Sequence, residues 1–196
     1  FAIIISFFLG SLIAIVRTTH DRTGRYIVLN ALCKFYLVII RGTPTMVQLL
    51  IIYYVIFAAA DVSKVLVAIV AFGINSSAYL AEVVRSGIMS IDRGQSEAGR
   101  SLGLSYSQTM RLIILPQAFK NVLPAIGNEL ITLLKETSIS GYIGLVDLTK
   151  GSDIIRSITY DAMLPLGVVA LIYLAIVLSL SSAVGTLEKK LRKNER

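Results

Sequence analysis

"DRGQSEAGRSLGLSYSQTMRLIILP", Asp92 to Pro116, is a polar, glycine-containing stretch in a chain that is otherwise strongly apolar. Asp92 is a residue type that caps helices, and the residues from Gly94 to Leu102 are enough for roughly two to three helical turns. Gly103 is placed to end this helix, because glycine adopts a positive φ easily. We therefore predict a short helix that starts after Asp92 and ends at Gly103.

This stretch lies inside a longer connection, 85–120, which is too long for an idle linker in a compact domain. We predict a second helix in it that begins after Ser105 or Ser107 and halts before Pro116. A short helix with small residues suits docking into a groove on another protein. A solvated linker between two membrane spans is the alternative interpretation.

On both sides of this connection the chain is apolar. It is 55% hydrophobic with a mean hydropathy of +0.76, whereas soluble domains are roughly 45–50% apolar. A chain inside a bilayer must satisfy its backbone internally, and no alternating strand pattern is present. We predict an all-α integral membrane protein with five transmembrane helices in a single domain, 1–196. The apolar runs are at about 1–16, 35–60, 65–84, 121–134 and 162–187.

Two of these runs depart from a simple span. The first, 1–16, is shorter than the roughly 20 residues that cross a bilayer, so we expect a truncated first helix. The second is interrupted by "RGTPT", Arg41 to Thr45. Because proline lacks an N–H and clashes with the preceding turn, we expect a break near Pro44.

The basic residues predict the orientation. Most of the nineteen Lys and Arg residues lie in the stretches 17–34, 85–120 and 188–196. The positive-inside rule therefore places these three stretches, including the 85–120 loop and the C-terminus, in the cytoplasm.

Motifs for catalysis are missing from the sequence. There is no G-x-x-x-x-G-K-[ST] phosphate loop and no G-x-S-x-G, and one His with one Cys makes neither a zinc cluster nor a nucleophile–base pair. We predict no catalytic residue, no metal site and no cofactor. The net charge of +7 is spread between apolar runs, so it favours orientation in a membrane over binding of nucleic acid.

The predicted short helix also carries a family resemblance. Glu97-Ala98-Gly99, then Gly103 and Ile113 to Pro116, resemble the "EAA" loop of ABC importer permeases, which reads E-A-A, three residues, G, nine residues, I-x-L-P. Gly99 stands where that pattern has its second Ala. Segments along nearly the whole chain are similar to permeases for polar amino acids (histidine, glutamine and arginine type). These are Arg41–Leu50, Asn75–Ile88, Gly94–Ser105, Leu115–Asn128 and Leu133–Thr149.

The resemblance implies a permease subunit of a prokaryotic cell membrane that works by alternating access. It implies a dimer with itself or a close relative, two separate ATPase subunits that hydrolyse ATP, and an extracellular or periplasmic binding protein that delivers the amino acid. The short helix would then be the coupling helix that contacts the ATPase. Its predicted contact residues are Arg93, Glu97, Ala98, Gly99, Arg100 and Gly103.

Polar side chains within the spans are candidates for the substrate site, because such residues are costly in a bilayer. Asn75 and Tyr79 share a helix face with Glu82, and Glu129 and Thr132 share one with Glu136. Glu129 and the acidic residues after it suggest a preference for cationic amino acids. For each residue taken singly, hydrogen bonding between helices is the alternative role, and Glu82 can pair with Arg85. The predicted substrate residues are Gln48, Asn75, Ser76, Tyr79, Glu129 and Thr132.

Other functional classes fit the sequence less well. A substrate-gated channel needs a filter or a ring of charge, and a secondary carrier usually has internal repeats and more spans. An intramembrane enzyme needs acids or His arranged for catalysis. A channel or a secondary carrier is kept as the alternative function.

Overall fold

A computed structural model describes residues 1–193 as a set of connected helices, with no strand among them. The predicted cytoplasmic C-terminus extends through 194–196, which lie outside the described residues. The helices, in chain order, are α1 (Ala2–Thr23), α2 (Ile27–Gly42), α3 (Thr45–Ile51), α4 (Lys64–Met89), α5 (Arg93–Ser101), α6 (Tyr106–Thr109), α7 (Leu115–Glu136), α8 (Leu148–Thr159) and α9 (Met163–Lys193). Two π-helical turns, Ile52–Ile56 and Met110–Ile114, and a 3₁₀ segment, Thr137–Ile143, connect them. The predicted all-α class is confirmed.

Three of the described helices are long and apolar enough to cross a membrane: α1, α4 and residues Met163–Leu191 of α9. A fourth crossing is formed if α2 and Thr45–Ile56 are counted together as one broken span. The fifth predicted span, 121–134, lies within α7, which is 22 residues long but carries polar residues such as Asn121, Asn128 and Glu129. The count of five transmembrane helices is therefore not confirmed.

The first predicted helix boundary was wrong. α1 continues past Val16 to Thr23 and is 22 residues long, so its length suffices for a crossing. It stops at Gly24, whose φ of 69° lies in the left-handed region that glycine adopts at helix ends. α2 then begins at Ile27 rather than near residue 35, so most of the predicted connection 17–34 is helical. Arg17 and Lys34 are therefore helical residues. The apolar stem of such a side chain can lie along apolar surface while its charged end stays in polar surroundings.

The predicted break at Pro44 is confirmed. α2 ends at Gly42, Pro44 precedes α3 in an extended conformation, and the two helix axes differ in direction by 107°. Proline has no N–H to continue the ladder of α2, and the residue before it favours an extended backbone. Thr43 indeed has a φ of −123° and a ψ of 147°.

Close packing of α1 against α4 organises the core. A Cβ at Gly10 of α1 would lie 2.8 Å from the carbonyl oxygen of Ser77, and one at Gly73 of α4 would lie 2.9 Å from Cβ of Ile5. Small residues at such crossings let helix backbones approach closely, as is usual for helices within membranes. α4 is the central element, since it also packs against α2, α3 and α7.

Candidate functional site

The polar stretch from Asp92 to Pro116 contains the predicted short helix. α5 spans Arg93–Ser101, and the Asp92 side chain accepts a hydrogen bond of 2.6 Å from the Gly94 amide. Gly103 has a φ of +80°, and its amide donates to the Arg100 carbonyl at 2.9 Å. The cap, the helix and the glycine that ends it are therefore confirmed.

Gly99 faces the interior of this chain. It is buried, and a Cβ at this position would lie 2.9 Å from Cγ2 of Thr109 and 3.0 Å from Cδ1 of Ile113. Thr109 ends α6, and Ile113 belongs to the π-helical turn before α7. Gly99 thus lies on the side of α5 that packs against α6 and the π-helical turn before α7, away from solvent.

The other predicted coupling residues of this helix are on its solvent side. Arg93, Glu97, Ala98, Arg100 and Gly103 are all exposed. Leu102 follows the helix and is 80% exposed. α5 and the residue after it therefore present charged side chains and one apolar side chain to solvent.

The second predicted helix begins as expected but does not halt before Pro116. Ser105 and Gln108 form a capping box, in which Ser105 Oγ accepts from the Gln108 amide and Gln108 Oε1 accepts from the Ser105 amide. The helix then passes through the π-helical turn Met110–Ile114 directly into α7. Pro116 falls in the first turn of α7, where a missing N–H is tolerated, so it does not stop the chain from continuing as a helix.

Gln48 and Asn75 are brought together by the structure. The Asn75 side-chain amide donates to Gln48 Oε1 at 2.8 Å, and both residues are buried. Gln48 Nε2 donates to the carbonyl oxygens of Ile40, at 2.7 Å, and Thr43, at 3.1 Å. These carbonyls lie at the end of α2, where the break leaves them without helical partners. Gln48 therefore braces the break and ties it to α4.

Ser76 and Tyr79 extend this polar region along α4. Ser76 Oγ and Asn75 Oδ1 are buried and have no hydrogen-bond partner among the described residues. The guanidinium carbon of Arg41 lies 5.6 Å from the centre of the half-buried Tyr79 ring, a cation–π distance. Buried polar atoms without partners are costly, so a ligand or a water molecule that reached the Asn75 and Ser76 oxygens would satisfy them.

The predicted residues on α7 remain apart from these. Glu129 and Thr132 are half-buried, and no hydrogen bond within residues 1–193 joins them to Gln48 or Asn75. One turn after Thr132, Glu136 accepts a long hydrogen bond of 3.5 Å from the Thr45 hydroxyl. This contact brings the end of α7 to the start of α3, next to the break.

An ionic network between α1 and α4 was only partly foreseen. The predicted pairing of Glu82 with Arg85 is confirmed, at 2.5 Å. Arg17 of α1 also binds Glu82, at 2.8 Å, and Arg85 binds Asp21, at 3.2 Å. Arg17 and Asp21 are four residues apart on α1, so they share a helix face. This spacing indicates from the sequence that both side chains can face the same neighbouring helix.

Comparisons with known proteins give a consistent result. The family model of the binding-protein-dependent transport system inner membrane component matches residues 2–193. The arginine transport system permease protein ArtQ of Bacillus subtilis is 38% identical over 194 residues, covering 98% of this chain and 86% of the relative. The putative glutamine transport system permease protein GlnP of Rickettsia typhi is 36% identical over 195 residues, covering 98% and 87%.

Two solved structures are similar as well. The crystal structure of an amino acid ABC transporter with histidines is 39% identical to this chain, with a TM-score of 0.87 over 96% of this chain and 86% of that chain. The MetNI methionine ABC transporter in an inward-facing conformation is 20% identical, with a TM-score of 0.79 over 97% and 89%. At that identity the second likeness concerns the fold alone.

Proposed function

This chain belongs to the family of binding-protein-dependent transport system inner membrane components, and from this premise we propose how it works as the permease subunit of an ATP-driven amino-acid importer. It is a multi-pass membrane protein and not an enzyme, because ATP hydrolysis takes place in a separate ATPase subunit. A second permease subunit completes the membrane part. The substrate class is polar amino acids.

The observation that carries the mechanism is the close contact of α5 with α6 and with the π-helical turn Met110–Ile114, which leads directly into α7. The solvent side of α5 carries Arg93, Glu97, Ala98 and Arg100, and this side contacts the ATPase. On the opposite side, Gly99 packs closely against Thr109 and Ile113. When the ATPase displaces α5, the start of α7 therefore moves with it, because the contact that joins them is already closely packed.

Alternating access follows from this connection. α7 packs against both α4 and α9, so a movement of its start changes the contacts along two long helices. The 85–120 loop and the C-terminus face the cytoplasm, where the ATPase is. The opposite face receives the amino acid from an extracellular or periplasmic binding protein, and the permease dimer opens to each side in turn.

The substrate site lies near the break between α2 and α3. Asn75 Oδ1 and Ser76 Oγ are buried without partners, and Tyr79 is on the same helix. These groups, with Gln48, bind the polar backbone of the amino acid. Glu129 and Thr132 of α7 contact its side chain, and the Glu129 carboxylate favours a cationic one.

The test is uptake by the assembled transporter. The chain is co-expressed with an ATPase subunit and a binding protein of this transporter family, purified as a complex and placed in liposomes. We expect ATP-dependent uptake of labelled arginine, histidine or glutamine, with no uptake in the presence of a non-hydrolysable ATP analogue. Equal uptake without ATP would contradict an ATP-driven importer and favour a channel or a secondary carrier.

A further inference from the structure

A basic cavity lies between α1, α2 and α4, apart from the Gln48–Asn75 contact. Its volume is about 520 Å³, within the size range of sites for small molecules. Arg17 comes from α1, Lys34 and Arg41 come from α2, and Glu82 comes from α4. Leu37 and Val38 supply its apolar wall.

The charges of this cavity do not balance. Glu82 is the one carboxylate that lines it, and it is already bound by Arg17 at 2.8 Å and by Arg85 at 2.5 Å. Lys34 and Arg41 make no salt bridge with any described residue. Arg41 lies 5.6 Å from the centre of the Tyr79 ring and interacts with Glu82 only at longer range, without a salt bridge among the described residues. Two cations therefore remain for an anion from outside the chain.

Two of the cations that line the cavity lie toward the turn that joins α1 and α2. Arg17 is six residues before the last residue of α1, and Lys34 is seven residues after the first residue of α2. At about 1.5 Å per residue, both are roughly 10 Å from the turn that joins these helices. For Arg17 and Lys34 this depth is close to the level at which lipid headgroups meet the hydrocarbon core. Arg41 lies seven residues, or about 10 Å, farther along α2, and its long side chain extends from there toward a bound phosphate.

The surface next to the cavity is apolar. Val38 lines the cavity and is 71% exposed, while Phe35 and Leu32 on the outer surface of α2 are 66% and 61% exposed. A free anion would use the cations but would leave this surface uncovered. An anion that carries acyl chains satisfies both, because its chains cover the apolar surface while its phosphate meets the cations.

We propose that this cavity binds the phosphate group of an anionic phospholipid, with Lys34 and Arg41 as its ligands and the acyl chains along the outer surface of α2. An amino-acid zwitterion fits less well, because its ammonium needs an acceptor and Glu82 is already bound to two arginines. A phospholipid bound in this cavity would hold α2 against α1 and α4. α2 is the helix that leads into the break at Pro44.

The test measures lipid retained by the purified permease complex, by native mass spectrometry after delipidation and titration with phosphatidylglycerol or phosphatidylcholine. We expect phosphatidylglycerol to be retained in preference. The double variant Lys34→Gln/Arg41→Gln should weaken its retention by about tenfold or more. The charge-preserving variant Lys34→Arg/Arg41→Lys should keep it. If the double variant does not purify as a monodisperse complex, Lys34→Gln alone, which alters an exposed residue, serves instead.

Arg25→Gln is the matched control, because Arg25 is exposed in the same turn region but does not line the cavity. It should leave retention unchanged. Loss of retention in this control as large as in the double variant would show general surface attraction and overturn the proposal. Competition by inorganic phosphate at equal concentration would show a site for free anions, and displacement by arginine or glutamine would show an amino-acid site; either result overturns the lipid assignment.

Discussion

Gly103 is the residue on which the end of α5 depends. Its φ of +80° is unfavourable for other L-residues by roughly 1–2 kcal/mol, and most of all for β-branched ones. We expect Gly103→Val to displace the end of α5, so that ATP hydrolysis continues while uptake falls. Gly103→Asn should retain more uptake, because asparagine tolerates this conformation better. ATPase and uptake assays on the same liposomes check this, and full uptake in the Val variant would contradict it.

Glu129 tests the proposed substrate preference at the same scale. Glu129→Gln removes the charge but keeps the shape of the side chain, so we expect uptake of arginine to fall relative to that of glutamine by about tenfold. Competition uptake with the two labelled amino acids measures this ratio. An unchanged ratio would remove Glu129 from the site. Glu188→Gln, in α9 and outside the proposed substrate site, is the control.

At the scale of elements, the contact of α5 with α6 and the π-helical turn that leads into α7 is the connection that we expect to transmit movement. Gly99→Val places a branched side chain where even a Cβ would lie 2.9 Å from Thr109, and such overpacking costs roughly 1–3 kcal/mol. α5 should shift, and uptake should fall while the complex still inserts into the membrane. Ser107→Val, an equally branched but exposed substitution, is the control. Equal uptake in the two variants would contradict a rigid connection.

The crossing of α1 and α4 is the element contact that governs stability. A Cβ at Gly10 would lie 2.8 Å from the Ser77 carbonyl oxygen, whereas one at Gly167 of α9 has no atom within 4 Å. We expect Gly10→Val to destabilise the purified protein by roughly 1–3 kcal/mol, because a backbone atom cannot move aside as a side chain can. Gly167→Val should leave the thermal unfolding temperature nearly unchanged. Similar temperatures for both variants would contradict the close crossing.

At the scale of the whole molecule, orientation in the membrane is open to a direct measurement. Cys33 is the single cysteine, so Cys33→Ser gives a background in which one new cysteine reports on one position. Ser107 and Ser157 are both exposed, in the 85–120 loop and in α8. In intact cells we expect an impermeant thiol reagent to label Ser157→Cys but not Ser107→Cys, which should react only after permeabilisation. The reverse labelling pattern would contradict the predicted orientation.

Local interactions explain what could be predicted. The cap at Asp92, the glycine after α5 and the break at Pro44 each depend on a few neighbouring residues, so the sequence contains the whole cause. The boundaries of α1 and the continuation of α6 into α7 could not be predicted in this way. A polar run can stay helical when its side chains find partners on another helix, as Arg17 does at Glu82.

By itself, the sequence determined that this chain is an all-helical membrane protein, with a short capped helix between its apolar runs and a broken span at Pro44. Only the tertiary structure decided which side of that short helix is exposed to solvent and which side packs, at Gly99, against Thr109 and Ile113. It also decided that Gln48 braces the break and accepts a hydrogen bond from Asn75 of α4, and that Lys34 and Arg41 share a cavity. The physical reason is that helix formation depends on neighbours in the chain, whereas the partner of a polar side chain depends on where separate helices cross.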